Sequence, residues 1–205
     1  TLRTEDIVSY LKEEGHTVAT VMLGGINYYT GQFYDLEKIT EAAHEAGAMC
    51  GFDLAHAAGN VLMELHDWNV DFACWCSYKY LNSGPGSVGG AFVHDNHRNK
   101  PDMPRFEGWW GTDPQSRFKM EGFELQDGAP GWQLSNAPVL AMAVHYEALK
   151  IWNEAGRENL RKKSEKITAY LEDLLLGIEN APFEIITPKD KARRGSQLSL
   201  KFKDD

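Results

Sequence analysis

The alternation of short apolar runs with helix-forming stretches limits the folds open to this chain more than any other feature. Four stretches have the continuous apolar composition of buried strands: 17–23, 48–52, 70–76 and 87–94. Three further stretches carry apolar residues at helical spacing: 4–14, 35–46 and 60–68. Apolar strands separated by helices are typical of a parallel sheet buried on both faces. The pattern therefore predicts an α/β fold with a mainly parallel sheet covered by helices.

Residues 95–135 break this pattern. They show no periodicity and are rich in proline, glycine and aromatic residues, among them Trp109, Trp110 and Trp132. An irregular stretch of this length in a compact chain is usually a functional loop or an interface.

The last third of the chain has a different organisation. Residues 137–177 are strongly helical, and Gly156 predicts a break into two helices. Two apolar stretches that follow predict strands: 183–186 and 197–202. We therefore predict that residues 1–137 belong to a large domain, and that residues 138–205 form connecting helices and the start of a smaller α+β domain.

Composition and charge argue against several function classes. The 205 residues are 42% hydrophobic and 25% charged, which is typical of globular rather than disordered proteins. A formal net charge of −9 would repel a phosphate backbone, so no nucleic-acid partner is expected. No apolar run approaches the roughly 20 residues that a membrane-spanning helix needs, so no membrane partner is expected either.

The three cysteines, Cys50, Cys74 and Cys76, cannot all pair within one chain. Each lies in or at the end of an apolar run, and we interpret them as buried reduced thiols. Reduced thiols and the lack of a visible export leader lead us to expect a cytoplasmic protein. Two zinc sites stay open as alternatives, one using Cys74 and Cys76 with a distant histidine and one using His94 and His97. The usual paired-cysteine spacing is missing, and we expect no metal.

Two polar side chains follow strands of the predicted sheet. Asp53 comes directly after the run 48–52, and Lys79 lies 26 residues later, after the run 70–76. Ligands of open parallel sheets bind beyond the carboxyl ends of the strands, so these two residues can face one pocket. One interpretation is a salt bridge at the rim of the sheet. The other is a pyridoxal phosphate site, because that cofactor needs a lysine to bear it and an acid that keeps its ring nitrogen protonated.

Sequence motifs around this pair resemble those of kynureninases. Six matching motifs occur in order: YTGQ at 29–32, GFDLAHA at 51–57, DFACWCSYKYLN at 71–82, GWWG at 108–111, RFKM at 117–120 and LSN at 134–136. The resemblance extends over residues 18–202, nearly the whole chain. Asp53 and Lys79 alone would indicate only the aspartate aminotransferase-like superfamily, and the flanking motifs narrow the resemblance to kynureninase.

The resemblance implies a role for each matching residue near this pair. Lys79 corresponds to the lysine that bears pyridoxal 5'-phosphate and later moves protons between carbon atoms. Asp53 corresponds to the partner of the pyridine nitrogen, and His56 to a histidine of the cofactor pocket. Tyr78 corresponds to a tyrosine whose hydroxyl reaches the cofactor phosphate.

Two further residues are implied at a subunit interface. Trp109 and Asn136 match residues that close the pocket and reach the phosphate from the neighbouring subunit. The resemblance therefore implies a homodimer, with the aromatic-rich stretch as both interface and site wall.

The reaction implied by the resemblance is hydrolytic cleavage of the Cβ–Cγ bond of L-kynurenine or 3-hydroxykynurenine. The products are anthranilate or 3-hydroxyanthranilate, and L-alanine, in tryptophan breakdown or NAD synthesis. Alternatives are another enzyme of the superfamily, such as a cysteine desulfurase or an aminotransferase, and a non-catalytic dimerising relative. Family members are longer and place a phosphate-binding turn before residue 1 and a substrate-binding arginine after residue 205. We therefore expect these residues alone to be inactive.

Overall fold

The computed structural model describes residues 2–98, 100–119 and 121–203. Met120, the last residue of the RFKM motif, lies outside them. The described helices are α1 (Thr4–Glu14), α2 (Leu36–Glu45), α3 (Val139–Ala155) and α4 (Arg157–Leu176). The described strands are β1 (Thr20–Gly24), β2 (Met49–Asp53), β3 (Phe72–Cys76), β4 (Gly89–Val93), β5 (Phe183–Ile185) and β6 (Leu200–Phe202).

A four-stranded sheet in the order β1-β2-β3-β4 forms the centre of the molecule. β1 pairs with β2, and β2 with β3, in parallel, with Gly24 opposite Asp53 and Asp53 opposite Cys74. β4 runs antiparallel to β3, because the short connection between them holds no crossover helix. The prediction of a mainly parallel α/β sheet is confirmed.

The two faces of this sheet have different environments. One face carries Val21, Cys50 and Phe52, all buried, and packs against α2 through Ile39 and Ala43. Right-handed crossovers from β1 to β2 and from β2 to β3 place both connections on the same face, which explains this one-sided cover.

The opposite face is largely open among the described residues. Met22, Cys74 and Ala91 lie on it and are exposed. The interpretation of all three cysteines as buried thiols is therefore wrong for Cys74, since an apolar strand pattern does not reveal which face is covered. Cys50 is buried and Cys76 is half-buried.

Residues 60–68 form turns rather than the predicted helix. Val61, Met63 and Leu65 pack against the core at a spacing of two residues. Such a spacing cannot place all three side chains on one face of a helix, so the chain adopts an irregular path.

Apart from residues 99 and 120, which are not described, the irregular stretch 95–135 contains four short 3₁₀ helices: Asp95–His97, Trp109–Gly111, Arg117–Lys119 and Ala129–Trp132. An ion pair ties its two ends together, with Arg98 Nε 2.7 Å from Asp127 Oδ1. The stretch is thus ordered by local contacts rather than by a long regular element.

The predicted break between the last two helices is confirmed at Gly156, whose φ of +79° is a conformation that favours glycine. β5 and β6 pair antiparallel beyond them. In the described part of the chain, no helix is both long enough and apolar enough to cross a membrane. The proposed domain boundary at residue 137 stays a prediction.

Candidate active site

A cavity of about 600 Å³ opens at the carboxyl ends of β1 and β2. Its walls are largely apolar, with Leu23, Ile26 and Tyr34 among the lining residues. Among its polar lining residues are Asp53 and His56, from the end of β2 and the turn after it, and Lys79, which follows β3. An apolar pocket with a few convergent polar groups is the usual form of a small-molecule site.

Asp53 is the last residue of β2, and the backbone around it fixes its place. Its carbonyl accepts a hydrogen bond from Gly25 N at 2.8 Å, which ties the end of β2 to the chain after β1. Its Oδ1 accepts one from Ala55 N at 2.8 Å. The side chain is exposed, so its carboxylate is held by one bond and open to a ligand.

Lys79 and His56 contact each other directly, with Nζ and Nε2 3.0 Å apart. Since an ammonium group only donates, His56 Nε2 is the acceptor and its hydrogen lies on Nδ1. That Nδ1 is buried and has no hydrogen-bond partner among the described residues. Burial, followed by the positive charge of Lys79, lowers the pKa of His56 below its ordinary value, while Asp53 acts in the opposite direction. The imidazole is therefore neutral at pH 7.

Tyr78 lies beside this pair but is not among the residues that line the cavity. Its ring centroid is 5.8 Å from Lys79 Nζ, and half of its surface is exposed. A hydrogen bond with the Cys76 side chain raises the pKa of Tyr78 above its ordinary value. The hydroxyl stays protonated at neutral pH.

Trp109 and Asn136 do not line the cavity either. Trp109 packs edge-to-face on Phe118, with ring centroids 5.4 Å apart, and Asn136 is exposed. The structure thus brings together Asp53, His56 and Lys79, and leaves Trp109 and Asn136 on the surface of this chain. Their role at a neighbouring subunit stays a prediction.

Sequence reasoning missed two residues of this region. Tyr28 lines the cavity and is 72% exposed, and Asn27 holds the turn beneath it by accepting hydrogen bonds from Tyr29 N and Thr30 N. Both follow the end of β1. The rule that ligands bind beyond strand ends, applied to β1 as it was to β2 and β3, would have found them.

Comparisons with known proteins place this geometry in a family. A family model described as aminotransferase class-V matches residues 2–204. The chain belongs to the aminotransferase class-V family. Asp53, at the end of β2, and Lys79, after β3, are thus polar residues at strand ends in a sheet of this family.

Several curated relatives of this class-V chain bear the name kynureninase. The protein from Myxococcus xanthus is 54% identical over 99% of this chain and 48% of its own length. The protein from Nematostella vectensis is 50% identical over 98% of this chain and 46% of its own length. The chain therefore spans about half the length of the curated relatives it matches.

Solved structures show the same fold at low sequence identity. A C-DES mutant with glycine covalently linked to its PLP cofactor aligns with a TM-score of 0.79 at 17% identity, over 96% of this chain and 50% of its own. Alanine–glyoxylate aminotransferase from Nostoc sp. aligns with a TM-score of 0.67 at 19% identity, over 99% and 51%. The fold is that of these enzymes.

The groups present in the cavity fit a pyridoxal phosphate cofactor. Lys79 supplies an amine, Asp53 an open carboxylate, and His56 a buried N–H that no described residue accepts. Among the described residues, no cluster of three or more histidine, cysteine, aspartate or glutamate side chains is arranged to hold a metal ion. The amine, the carboxylate and the N–H together suit pyridoxal phosphate, which has a carbonyl group and a positively charged ring.

Proposed function

We propose that the protein encoded by the complete gene to which these residues belong is a kynureninase. It cleaves L-kynurenine or 3-hydroxykynurenine with water, giving anthranilate or 3-hydroxyanthranilate and L-alanine. The observation that carries this proposal is the identity to curated kynureninases over nearly the whole chain. The convergence of Asp53, His56 and Lys79 on one cavity supports it, because these are the groups that such chemistry needs.

Lys79 is the residue that would hold pyridoxal phosphate, through Nζ. When bound, the cofactor supplies an electron sink for the negative charge that develops on the α-carbon of an amino acid. Once released by the substrate amine, Lys79 Nζ would take the proton from that carbon and return it to another carbon of the reacting molecule, first as a general base and then as a general acid.

Asp53 would keep a proton on the ring nitrogen of the cofactor. Its Oδ1 is oriented by Ala55 N, so the carboxylate is held in place before any ligand enters. A fixed negative charge next to the ring nitrogen favours its protonated form, typically raising such a pKa by about 1–3 units.

His56 would orient Lys79 on one side and a ligand on the other. Its Nε2 accepts from Lys79, and its Nδ1 offers a hydrogen to an acceptor of the bound group. Because the lowered pKa keeps the imidazole neutral, His56 adds no second positive charge beside the lysine.

Tyr78, Trp109 and Asn136 complete the proposed site. Tyr78 would donate its protonated hydroxyl to the cofactor phosphate. Trp109 and Asn136 would close the cavity of a second subunit in a cytoplasmic homodimer. Their exposure on this chain, away from its own cavity, supports that assignment.

The test uses the purified complete gene product loaded with pyridoxal phosphate. Given kynurenine and 3-hydroxykynurenine, it should release equal amounts of alanine and the matching anthranilate. Sulfide from cysteine, or amino transfer to a keto acid without anthranilate, would instead support another class-V activity. Cys74 is exposed but lies within β3, so it does not fit the mobile loop cysteine that a desulfurase needs.

A second arm of the same test concerns length. Residues 1–205 alone should not turn over either substrate, because the chain spans only about half of its relatives. Rapid cleavage by this segment would contradict that expectation while leaving the proposed activity intact.

A further inference from the structure

A C-terminal segment reaches back to the turn that carries His56. We call residues 193–199 the strap. The side chain of Asn60, at the end of the turn, is 5% exposed and connects the two. Its Nδ2 donates to His56 O at 2.9 Å, and its Oδ1 accepts from Ser196 N at 3.1 Å and from Ser196 Oγ at 2.7 Å. All three contacts engage one amide.

The strap packs tightly against this amide. A Cβ atom on Gly195 would lie 2.2 Å from Asn60 Nδ2, so only glycine allows the backbone to approach so closely. Ser196 Oγ lies 2.7 Å from Ser164 Oγ of α4, which fixes the strap from its other side. The contact is therefore close and is fixed from two directions.

The strap is also anchored along its length. Arg193 O accepts from Phe33 N at 2.9 Å, and the buried Arg194 forms an ion pair with Glu172 of α4. Gln197 Nε2 donates to Tyr28 O at 2.7 Å, on the loop that forms another wall of the cavity. The C-terminal part of the chain thus holds the two cavity segments that carry His56 and Tyr28.

We propose that Asn60 is a positioning residue of the active site, which fixes the turn carrying His56 to the strap. An amide is required because the site needs a donor toward His56 O and an acceptor toward Ser196 on one short side chain. The place of His56, and through it that of Lys79 Nζ, then depends on the position of the C-terminal part of the chain. The importance of this placement for catalysis rests on the proposed function. The link between the strap and the position of His56, through Asn60, does not depend on that function.

The main test compares Asn60→Leu with Asn159→Leu in the complete gene product. Leucine is neutral and close in shape to asparagine, so it removes the hydrogen bonds without adding charge. Asn159 is a matched control, since its Nδ2 donates to the carbonyl of Ala155, four residues earlier, at an exposed place on α4. The histidine side chains are labelled with ¹⁵N, and the His56 signal is assigned by its loss in His56→Gln.

In the cofactor-free protein, Asn60→Leu should raise the pKa of His56 toward its ordinary value, because the turn loosens and the ring leaves its half-buried place beside Lys79. Asn159→Leu should leave it unchanged. In the loaded protein, Asn60→Leu should lower kcat for kynurenine about tenfold, as a misplaced catalytic group does, with less change in KM.

Ser196→Ala provides a second variant if Asn60→Leu fails to fold. It removes one of the two hydrogen bonds to Asn60 Oδ1 and keeps the bond from the backbone N–H. The pKa of His56 should therefore rise as in Asn60→Leu, but by less. An unchanged His56 pKa in both variants, or an equal shift in Asn159→Leu, would overturn the proposal. If the unaltered protein cleaves no kynurenine, the proposed function fails, but the titration of His56 still decides this inference.

Discussion

Two histidine-containing clusters lie at opposite ends of β3, and they differ in how fully their groups are paired. At the amino end, the buried Asp71 accepts hydrogen bonds at Oδ2 from Cys50 N (2.7 Å) and lies 2.8 Å from His44 Nε2. Its Oδ1 lies 2.7 Å from His97 Nε2. Although His97 Nδ1 has no partner among the described residues, both oxygens of Asp71 are engaged. This cluster ties three segments of the fold together.

At the carboxyl end, the groups are held but not saturated. Asp53 has one bond to its side chain, His56 keeps an unpaired N–H, and Lys79 reaches into the cavity. A histidine nitrogen without a partner occurs in both clusters, so it does not separate them. The comparison teaches that residue type alone does not separate a structural cluster from a site, whereas an open carboxylate that faces a cavity does.

The largest expected effect comes from Lys79→Ala. In the complete gene product, kynurenine cleavage should fall by at least about 10³-fold, because the group that we propose to bear the cofactor and move the proton is lost. The free energy of unfolding should change by less than about 1 kcal/mol, since Lys79 is not part of the core. Anthranilate release and urea unfolding measure the two effects.

The exposed Lys166→Ala serves as its control and should keep full activity. If Lys79→Ala retained activity, or if it unfolded the protein, the cluster at the carboxyl end of β3 would not be a ligand site in contrast to the structural cluster at the amino end.

Asp53→Asn should have the next largest effect. The amide can still accept from Ala55 N, so the local structure is kept, but the negative charge is lost. We expect kcat for kynurenine to fall roughly 10²–10³-fold, the range found when a preorganised electrostatic group is removed. Asp173→Asn, an exposed change on α4, should leave kcat unaltered, and equal losses in both variants would contradict the assigned role.

Asp71→Asn should show the opposite behaviour, with lower stability and retained activity. The amide cannot accept from all three donors, and leaving a buried donor unpaired costs about 2 kcal/mol of unfolding free energy. Activity per folded molecule should stay within about twofold. The matched control is Asp67→Asn, because Asp67 pairs with His66 in an exposed position where such pairs contribute little.

The smallest expected effect is a pH dependence of the difference in unfolding free energy between Asp71→Asn and the unaltered protein. Burial by itself would raise the pKa of Asp71, but the hydrogen bonds from Cys50 N, His44 and His97 together lower it below the ordinary 3.8. A carboxyl whose pKa is lower in the folded state stabilises the fold above its unfolded pKa, and this contribution is lost as the pH falls through the folded value. An ordinary histidine is already charged at pH 5, so urea unfolding at pH 5 and pH 3 should show a smaller gap in unfolding free energy between Asp71→Asn and the unaltered protein at the lower pH. A gap that widens in acid would contradict this sign.

Much of the fold follows from the sequence because its apolar runs and helical spacings are local. The break at Gly156 and the strand-end positions of Asp53 and Lys79 are examples. For residues 60–68, the two-residue spacing of the apolar side chains already argues against the predicted helix. The contact that holds Asn60 could not be predicted, because Ser196 lies 136 residues further along the chain. The exposure of Cys74 could not be predicted for a related reason, since an apolar strand does not show whether one or both faces of its sheet are covered by other elements. The roles proposed for Trp109 and Asn136 would need a second subunit, and the structure of one chain does not test them.

The open sheet face has a practical consequence for anyone who produces these residues in isolation. Met22, Cys74 and Ala91 would meet water directly, as would Leu140 and Ile151 on α3. Exposed apolar surface of this kind promotes self-association. Heating such a sample would then report the onset of aggregation rather than a reversible melting point, so thermodynamic comparisons should use the complete gene product.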